Sequence, residues 1–221
     1  MDKNKNFFTR MFGKEYWKAH WKSALINFSI YASIFIATVL IDLLTKNAWF
    51  IKGYRKEIPS DPYYVSSFVR IWSVFHAGTT INLGLNNAML HVVSIVIILA
   101  TLIASLFIED KKYRFVIAAL AFIAGGSFGN MYDRFAFGGV RDIINLPWSN
   151  RGTFNFADLW LVIGSILAVL LVAIFVLISV IKSKKEAKNR ELENEYSNSD
   201  KEVIDAVSLG NQENSSENIN S

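Results

Sequence analysis

The chain has 221 residues, 52% of them hydrophobic and 19% charged, and its formal net charge at pH 7 is +4. The apolar residues stand in long runs, and most Lys and Arg residues lie at the ends of those runs, which indicates an integral membrane protein without a nucleic-acid partner. The chain has no cysteine, which excludes disulfides, thiolate nucleophiles and Cys-based metal sites.

Four apolar runs predict transmembrane helices. They cover residues 23–41, 87–108, 115–132 and 159–181. Each is long enough to cross a hydrocarbon core of about 30 Å. The first run follows a basic segment but is followed by Asp42 instead of a small-residue cleavage site. We therefore expect it to be a retained helix and not a removed signal peptide.

The basic residues predict the orientation of the chain and three domains. Their densest clusters lie before residue 23, in segment 109–114 and after residue 181. With four spans all three clusters fall on one side, so both termini are expected to be cytoplasmic. The predicted domains are a basic N-terminal extension (1–23), a four-helix membrane domain (24–181) and a charged tail (182–221). The tail has too few apolar residues for a core and is expected to be disordered, apart from a short helical extension of the last span.

The two outer loops contain alternating apolar patterns at residues 63–72 and 140–146. Alternation of this kind is typical of short strands. The predicted fold class is therefore an all-α integral membrane protein, a four-transmembrane-helix bundle with a small extracytoplasmic β-sheet.

Asp142 lies in the second of these predicted strands. It shares a face with the apolar residues Val140 and Ile144, because alternate strand residues point the same way. An apolar setting raises the pKa of a carboxyl group. The alternative is a carboxylate satisfied by Arg141, Arg134 or backbone amides in a wet loop, and spacing alone does not decide between the two.

Asp158 opens the fourth predicted helix. Asn155 stands three residues before it in the position of an N-cap, which is a variant of the capping box. The helix dipole stabilises a carboxylate there whether or not it is catalytic. If Asp142 and Asp158 lie close together, their different surroundings suit an acid/base pair of the aspartic-protease type.

Other polar residues near the ends of the spans have structural interpretations. Asp42 and Lys46 are spaced for an i,i+4 ion pair, and Asp133 with Arg134 is interpreted as an ion pair at a helix end. Residues 125–129 contain a Gly-x-x-x-Gly spacing, which permits close packing of helices.

Four motifs together resemble a known family. They are Asp42-Leu-Leu-Thr-Lys46, Gly126-Ser-Phe-Gly-Asn-Met-Tyr-Asp-Arg134, Gly139-Val-Arg-Asp-Ile-Ile144 and Phe154-Asn-Phe-Ala-Asp158. In this order, over about residues 24–181, they are similar to the motifs of the lipoprotein signal peptidases, or signal peptidases II. The resemblance implies an intramembrane aspartic endopeptidase that cleaves bacterial prolipoproteins just before the diacylglyceryl-modified cysteine. It also implies a β-cradle at the membrane surface, no metal or cofactor, and binding of the antibiotic globomycin.

The resemblance also assigns roles to individual residues. Asp142 and Asp158 match the catalytic pair, and Asp42 and Lys46 match a structural pair. The supporting or substrate-binding positions are Asn82, Gly84, Asn130, Asp133, Arg134 and Asn155. Asn82 and Gly84 carry over from a family stretch Asn-x-Gly-Ala-Ala-Phe that reads here Asn82-Leu-Gly-Leu-Asn-Asn87, and Arg141 stands where a hydrophobic residue is usual.

The implied partners are prolipoprotein substrates and membrane lipids. The expected protein is a monomer in the bacterial inner (cytoplasmic) membrane, with its active site at the outer face. The alternative is a non-catalytic transporter or membrane scaffold that uses the aspartates to bind ions or a partner. Such proteins more often carry charges in the middle of spans or a repeated half, and the sequence has neither.

Overall fold

The computed structural model describes residues 13–77, 87–149 and 152–217, with side chains as far as Arg190. Four helices and four strands make up these ranges. They are α1 (Lys14–Trp49), β1 (Tyr64–Val65), β2 (Arg70–His76), α2 (Asn87–Leu106), α3 (Phe115–Phe137), β3 (Val140–Asn145), β4 (Thr153–Phe154) and α4 (Phe156–Glu217), with a 3₁₀ turn at Lys111–Tyr113. Each helix contains a segment long and apolar enough to cross a membrane. The predicted four helices and small sheet are confirmed.

The helix bounds differ from the predicted spans at several ends. Helix α1 is longer than the run 23–41 on both sides because no Gly or Pro interrupts it, and the predicted domain boundary after residue 23 lies inside it. Helix α4 continues far beyond residue 181, over residues for which the composition predicts disorder. Lys and Glu are good helix formers, and Lys182 pairs with Glu186 one turn later at 3.8 Å.

The chain divides into two compact units, Met1–Leu170 and Leu171–Ser221. In the first unit a small core forms around Tyr31, Ile117, Ala121 and Ala124. Many large apolar side chains on the outside of the helices are exposed, among them Ile36, Leu40, Val92, Val96 and Val162. A continuous apolar surface of this kind is costly in water and typical of helices that face lipid. In the second unit α4 likewise exposes Val172, Ile174 and Val176.

Helix α3 packs closely on its neighbours through its glycines. A Cβ atom on Gly125 would collide with the side chain of Thr38 in α1, and one on Gly129 would lie 2.5 Å from Oδ2 of Asp42 and 3.0 Å from Cβ of Ala157. The close packing predicted from the Gly-x-x-x-Gly spacing is confirmed. It brings the polar C-terminal half of α3 against α1 and the start of α4.

The four strands form one antiparallel sheet in the order β1-β2-β3-β4. The prediction of a single strand at 63–72 was wrong, because a turn held by Ser66 divides it into the hairpin β1-β2. The strand predicted at 140–146 is confirmed to within one residue. Gly138, with φ 80°, ends α3 and lets the chain turn into β3. In the antiparallel pairing of β2 with β3, Asp142 lies opposite Val74 and Val140 lies opposite His76.

The close approach at Gly129 gives the first testable expectation. Replacing Gly129 with Ala should destabilise the protein by about 1–3 kcal/mol, because the added methyl group overpacks a site walled by a carboxylate and by Ala157. Thermal unfolding in detergent measures the effect. The control is Ala37→Val on the exposed face of α1; equal melting temperatures for the two variants would contradict tight packing at Gly129.

Candidate functional site

Asn155, at the junction of β4 and α4, connects the polar residues at one end of the bundle. Its side chain is fully buried. The amide Nδ2 donates to Oδ1 of Asp142 at 2.7 Å and to Oδ1 of Asn130 at 3.1 Å. Its Oδ1 accepts from the backbone N–H of Asp158 at 3.0 Å. One asparagine therefore contacts both aspartates that the sequence singled out, and every polar atom of its amide has a partner.

Asp158 lies in the first turn of α4. Its Oδ2 accepts from the backbone N–H of Asn155 at 3.3 Å, which completes the predicted capping box. Its Oδ1 accepts from Nδ2 of Asn130 at 2.7 Å. Two N–H donors and the positive end of a helix dipole thus stabilise negative charge on this carboxylate.

Asp142 has a different environment, because the residue is only 2% exposed. Beside the contact with Asn155, its Oδ2 lies 3.2 Å from Nε2 of His76 on the neighbouring strand. Burial first, and then the negative charge of Asp158, raise the pKa of Asp142 well above its ordinary value. The alternative of a carboxylate satisfied by Arg141, Arg134 or backbone amides is wrong. Arg141 points to the opposite face of β3 and pairs with Asp133, and among the described residues the side-chain contacts of Asp142 are with Asn155 and His76.

Behind the two aspartates lies a network of four buried charges. Nζ of Lys46 is 2.8 Å from Oδ2 of Asp42 and 3.2 Å from Oδ2 of Asp133. Arg141 donates to Oδ1 of Asp133 through Nη2 at 2.7 Å and Nε at 3.1 Å, and Lys46, Asp42 and Asp133 are fully buried. The predicted pair of Asp42 and Lys46 is confirmed, and it is half of a larger cluster with two positive and two negative groups.

The charge network is joined to α4 and to the asparagines. Oδ1 of Asp42 accepts from the backbone N–H of Ala157 at 2.8 Å, so a side chain of α1 caps an N–H group in the first turn of α4. Nζ of Lys46 also lies 3.5 Å from Oδ1 of Asn130. The position of the polar residues around Asn155 therefore depends on these buried ions.

Arg134 does not pair with Asp133, so the predicted ion pair between them was wrong. Consecutive helical residues point about 100° apart and do not face each other. Arg134 instead donates from Nη1 to the backbone carbonyl of Asn130 at 3.2 Å. Its guanidinium lies within electrostatic range of Asp158 and Asp142. Its Nε is buried and has no hydrogen-bond partner among the described residues.

His76 is the residue at this site that the sequence interpretation missed. A signal was present, because His76-Ala-Gly-Thr-Thr-Ile81 fits the stretch Asn-x-Gly-Ala-Ala-Phe at its glycine, its two small residues and its final apolar residue. The expected positions Asn82 and Gly84 lie outside the described residues. If the family stretch is aligned with residues 76–81 instead of 82–87, its first residue is His76, which contacts Asp142.

A cavity of about 450 Å³ opens on the sheet beside the site. Trp72, Val74 and His76 of β2 line one side, and Asn145 and Thr153 line another. Within the described ranges, no group of three or more His, Asp or Glu side chains is placed to hold a metal ion. The arrangement consists of two carboxyl groups in unlike surroundings, one of which contacts His76 at the edge of the cavity. It suits general acid and base chemistry.

Comparison with known proteins identifies a family whose sequence model matches most of the chain. The profile described as Signal peptidase (SPase) II matches residues 34–185. A lipoprotein signal peptidase of Aquifex aeolicus (strain VF5) is 28% identical over 64% of this chain and 84% of its own length. One from Wigglesworthia glossinidia brevipalpis is 33% identical over 65% and 94%. A structure described as a bacterial membrane enzyme, determined in meso at 2.3 Å resolution, has a TM-score of 0.56 at 21% identity and covers 66% of this chain and 88% of its own.

The buried ions give a second expectation. Changing Lys46 to Met should cost about 3–5 kcal/mol of stability, because it leaves Asp42 and Asp133 with unbalanced buried charge. Thermal unfolding of the purified chain measures the loss. Lys18→Met, which removes an exposed pair with Glu15, is the control and should change little. A Lys46 variant as stable as the control would show that removing Nζ leaves no costly unbalanced charge on Asp42 and Asp133.

The raised pKa of Asp142 gives a third expectation, about stability and pH. A folded-state pKa above the unfolded value of about 3.9 means that stability is lost as pH rises through the interval between them. Asp142→Asn cannot ionise, so it should melt at a higher temperature than the unmodified chain at pH 8, and the gap should close near pH 4. Melting curves across that range measure it.

Asp110 provides the control for this experiment. Its pKa is lowered by the hydrogen bond from Lys112, so Asp110→Asn should show no gain in stability as pH rises. If the unmodified chain melts at a higher temperature than Asp142→Asn at pH 8, burial does not raise the pKa of Asp142.

Proposed function

The chain belongs to the signal peptidase II family, and on that premise we propose that it is an intramembrane aspartic endopeptidase with Asp142 and Asp158 as its catalytic pair. Its substrates are diacylglyceryl-modified prolipoproteins, and it cuts just before the lipid-modified cysteine. Membership of the family makes the chain a peptidase that removes signal peptides from prolipoproteins. The aspartic mechanism, the catalytic residues and the cleavage position are the finer parts of the proposal.

The observation that carries the proposal is the contact of Asn155 with both aspartates. Nδ2 of Asn155 reaches Asp142, and its backbone N–H and Oδ1 hold Asp158. The two carboxyl groups have different surroundings: Asp142 is buried with a raised pKa, whereas Asp158 has N–H donors and a helix dipole. Environments that separate the proton affinities of two acids assign one as the acid and the other as the base.

In the first step Asp158 is the general base and Asp142 the general acid. Asp158 takes a proton from a water molecule whose oxygen attacks the carbonyl carbon of the scissile peptide bond. Asp142 gives its proton to the carbonyl oxygen. The product is a neutral gem-diol, with the proton now on Asp158 and the charge on Asp142.

In the second step the two residues exchange roles. Asp142 takes back a proton from one hydroxyl of the gem-diol while the C–N bond breaks, and Asp158 gives its proton to the departing nitrogen. The products are a carboxylic acid and an amine, and the pair returns to its starting state. Asn155 and Asn130 keep their hydrogen bonds throughout and hold the two carboxyl groups in place.

The membrane setting of the proposal follows from the helices and the basic residues. All four helices have a segment apolar enough to span a bilayer, and the basic clusters favour both termini on the cytoplasmic side. The site and the sheet then lie at the outer face of the bacterial inner membrane. The lipid of the substrate stays in the bilayer while the scissile bond reaches Asp142 and Asp158, and the small sheet is the cradle beside it. The working unit is a monomer.

The fourth expectation tests the catalytic pair. Asp142→Asn and Asp158→Asn should each lower cleavage of a diacylglyceryl prolipoprotein in membranes by at least about 10³-fold, because each removes a proton donor or acceptor. The measurement is the conversion of precursor to mature lipoprotein on a gel. The melting temperature of each purified variant shows whether it is folded.

Asp110→Asn makes the same chemical change at an exposed residue in a turn and should process the precursor normally. Normal processing by a folded Asp142 or Asp158 variant would refute the aspartic mechanism. In that case the chain would be a peptidase that cleaves through other residues, and the two aspartates would have a structural or binding role.

A further inference from the structure

His76 is the only described side chain outside Asn155 with an atom within hydrogen-bond distance of the Asp142 carboxyl group. It stands at the end of β2, and its register partner on β3 is Val140, two residues before Asp142. Its side chain is 25% exposed and borders the cavity on the sheet. His76 therefore contacts the buried carboxyl group on one side and open space on the other.

The partners of the two carboxyl oxygens decide where a proton on Asp142 can lie. Oδ1 already accepts a short hydrogen bond from Nδ2 of Asn155, at 2.7 Å, so one of its two lone-pair sites is occupied. Oδ2 has Nε2 of His76 at 3.2 Å. A neutral imidazole whose proton is on Nδ1 can accept at Nε2. A proton on Oδ2 would lie between these two atoms, where Nε2 could accept it.

We propose that His76 is a positioning residue that accepts a hydrogen bond from the protonated carboxyl group of Asp142 and so holds the proton on Oδ2 between turnovers. This inference rests on the proposed function, because it concerns the residue assigned as general acid. His76 keeps Asp142 protonated and oriented. The two aspartates carry out the proton transfers at the substrate.

Other charged groups act on the same carboxyl group and on the cavity side of His76. Those that act on Asp142 are Asp158, Asp133, Lys46 and Arg134, and those that line the cavity with His76 are Glu57 and Arg70. None of them has an ion-pair or hydrogen-bond contact with Asp142 among the described residues. Variants at His76 therefore change the direct contact and leave the surrounding charges in place.

The test compares three substitutions that differ in reach. The amide oxygen of Gln can take the place of Nε2, Asn is one methylene shorter, and Leu has no polar atom. His76→Gln should keep kcat within about threefold, whereas His76→Asn and His76→Leu should lose about 10- to 100-fold in kcat with little change in KM. A packing role would instead favour Leu, or would change KM and stability together.

The pH profile gives a readout that packing would not move. A hydrogen bond to the neutral form of an acid raises its pKa, so removing the acceptor in His76→Leu should shift the basic limb of kcat/KM to lower pH by about half to one unit. His76→Gln should keep the limb where it is in the unmodified chain. An unchanged limb and unchanged kcat in His76→Leu would overturn the proposal, as would equal losses in the Gln and Leu variants.

Two further sets of variants complete the experiment. His20 makes a similar contact with a carboxylate, Nε2 to Oε2 of Glu109 at 3.3 Å, in another part of the first unit, and His20→Leu should leave kcat and the pH profile unchanged. Asp142→Asn and Asp158→Asn separate the two proposals. If they are inactive and His76→Leu is normal, only the role of His76 is wrong; if they are active, the aspartic mechanism itself fails.

Discussion

A single ammonium group, Nζ of Lys46, balances two aspartates from different helices in a region closed to solvent. Removing four charged groups from water is expensive, and only their mutual contacts offset that cost. Because Asp42 also caps α4 and Asp133 also binds Arg141 of β3, the ions fix three helices and the sheet at one point. Buried ions are poor sources of net stability, but they accept few alternative arrangements, so they specify the position of the end of the bundle.

That fixed position is what gives two chemically identical side chains different properties. Asp142 extends from a strand into a buried space, and Asp158 lies where a helix begins. Asn155 belongs to the connection between the sheet and α4, so it can contact both. The different surroundings of the two carboxyl groups are therefore produced by secondary structure: the strand supplies burial and the helix supplies oriented N–H groups.

Much of this site could be predicted from local pattern. The capping box of Asn155 and Asp158 and the i,i+4 spacing of Asp42 and Lys46 depend on residues within one turn, and both were correct. The predicted ion pair of Asp133 and Arg134 was wrong because residues adjacent in a helix do not face each other. The partnership of Asp133 with Lys46, 87 positions away, and that of His76 with Asp142, 66 positions away, are set by tertiary packing and strand register. No local spacing contains that information.

Strand β3 separates the buried ion network from the contacts of Asp142 by a single residue. Arg141 and Asp142 are neighbours, yet one points to the buried ions and the other to Asn155 and His76. A side chain's face depends on whether its position in the strand is odd or even. Inserting or deleting one residue between Gly138 and Arg141 would exchange the two faces, placing a cation among the asparagines and a third carboxylate beside Asp133. The length of this short connection is therefore as strict a requirement as the identity of any residue in it, whereas an extra residue beyond Asn145 leaves the parity of β3 intact.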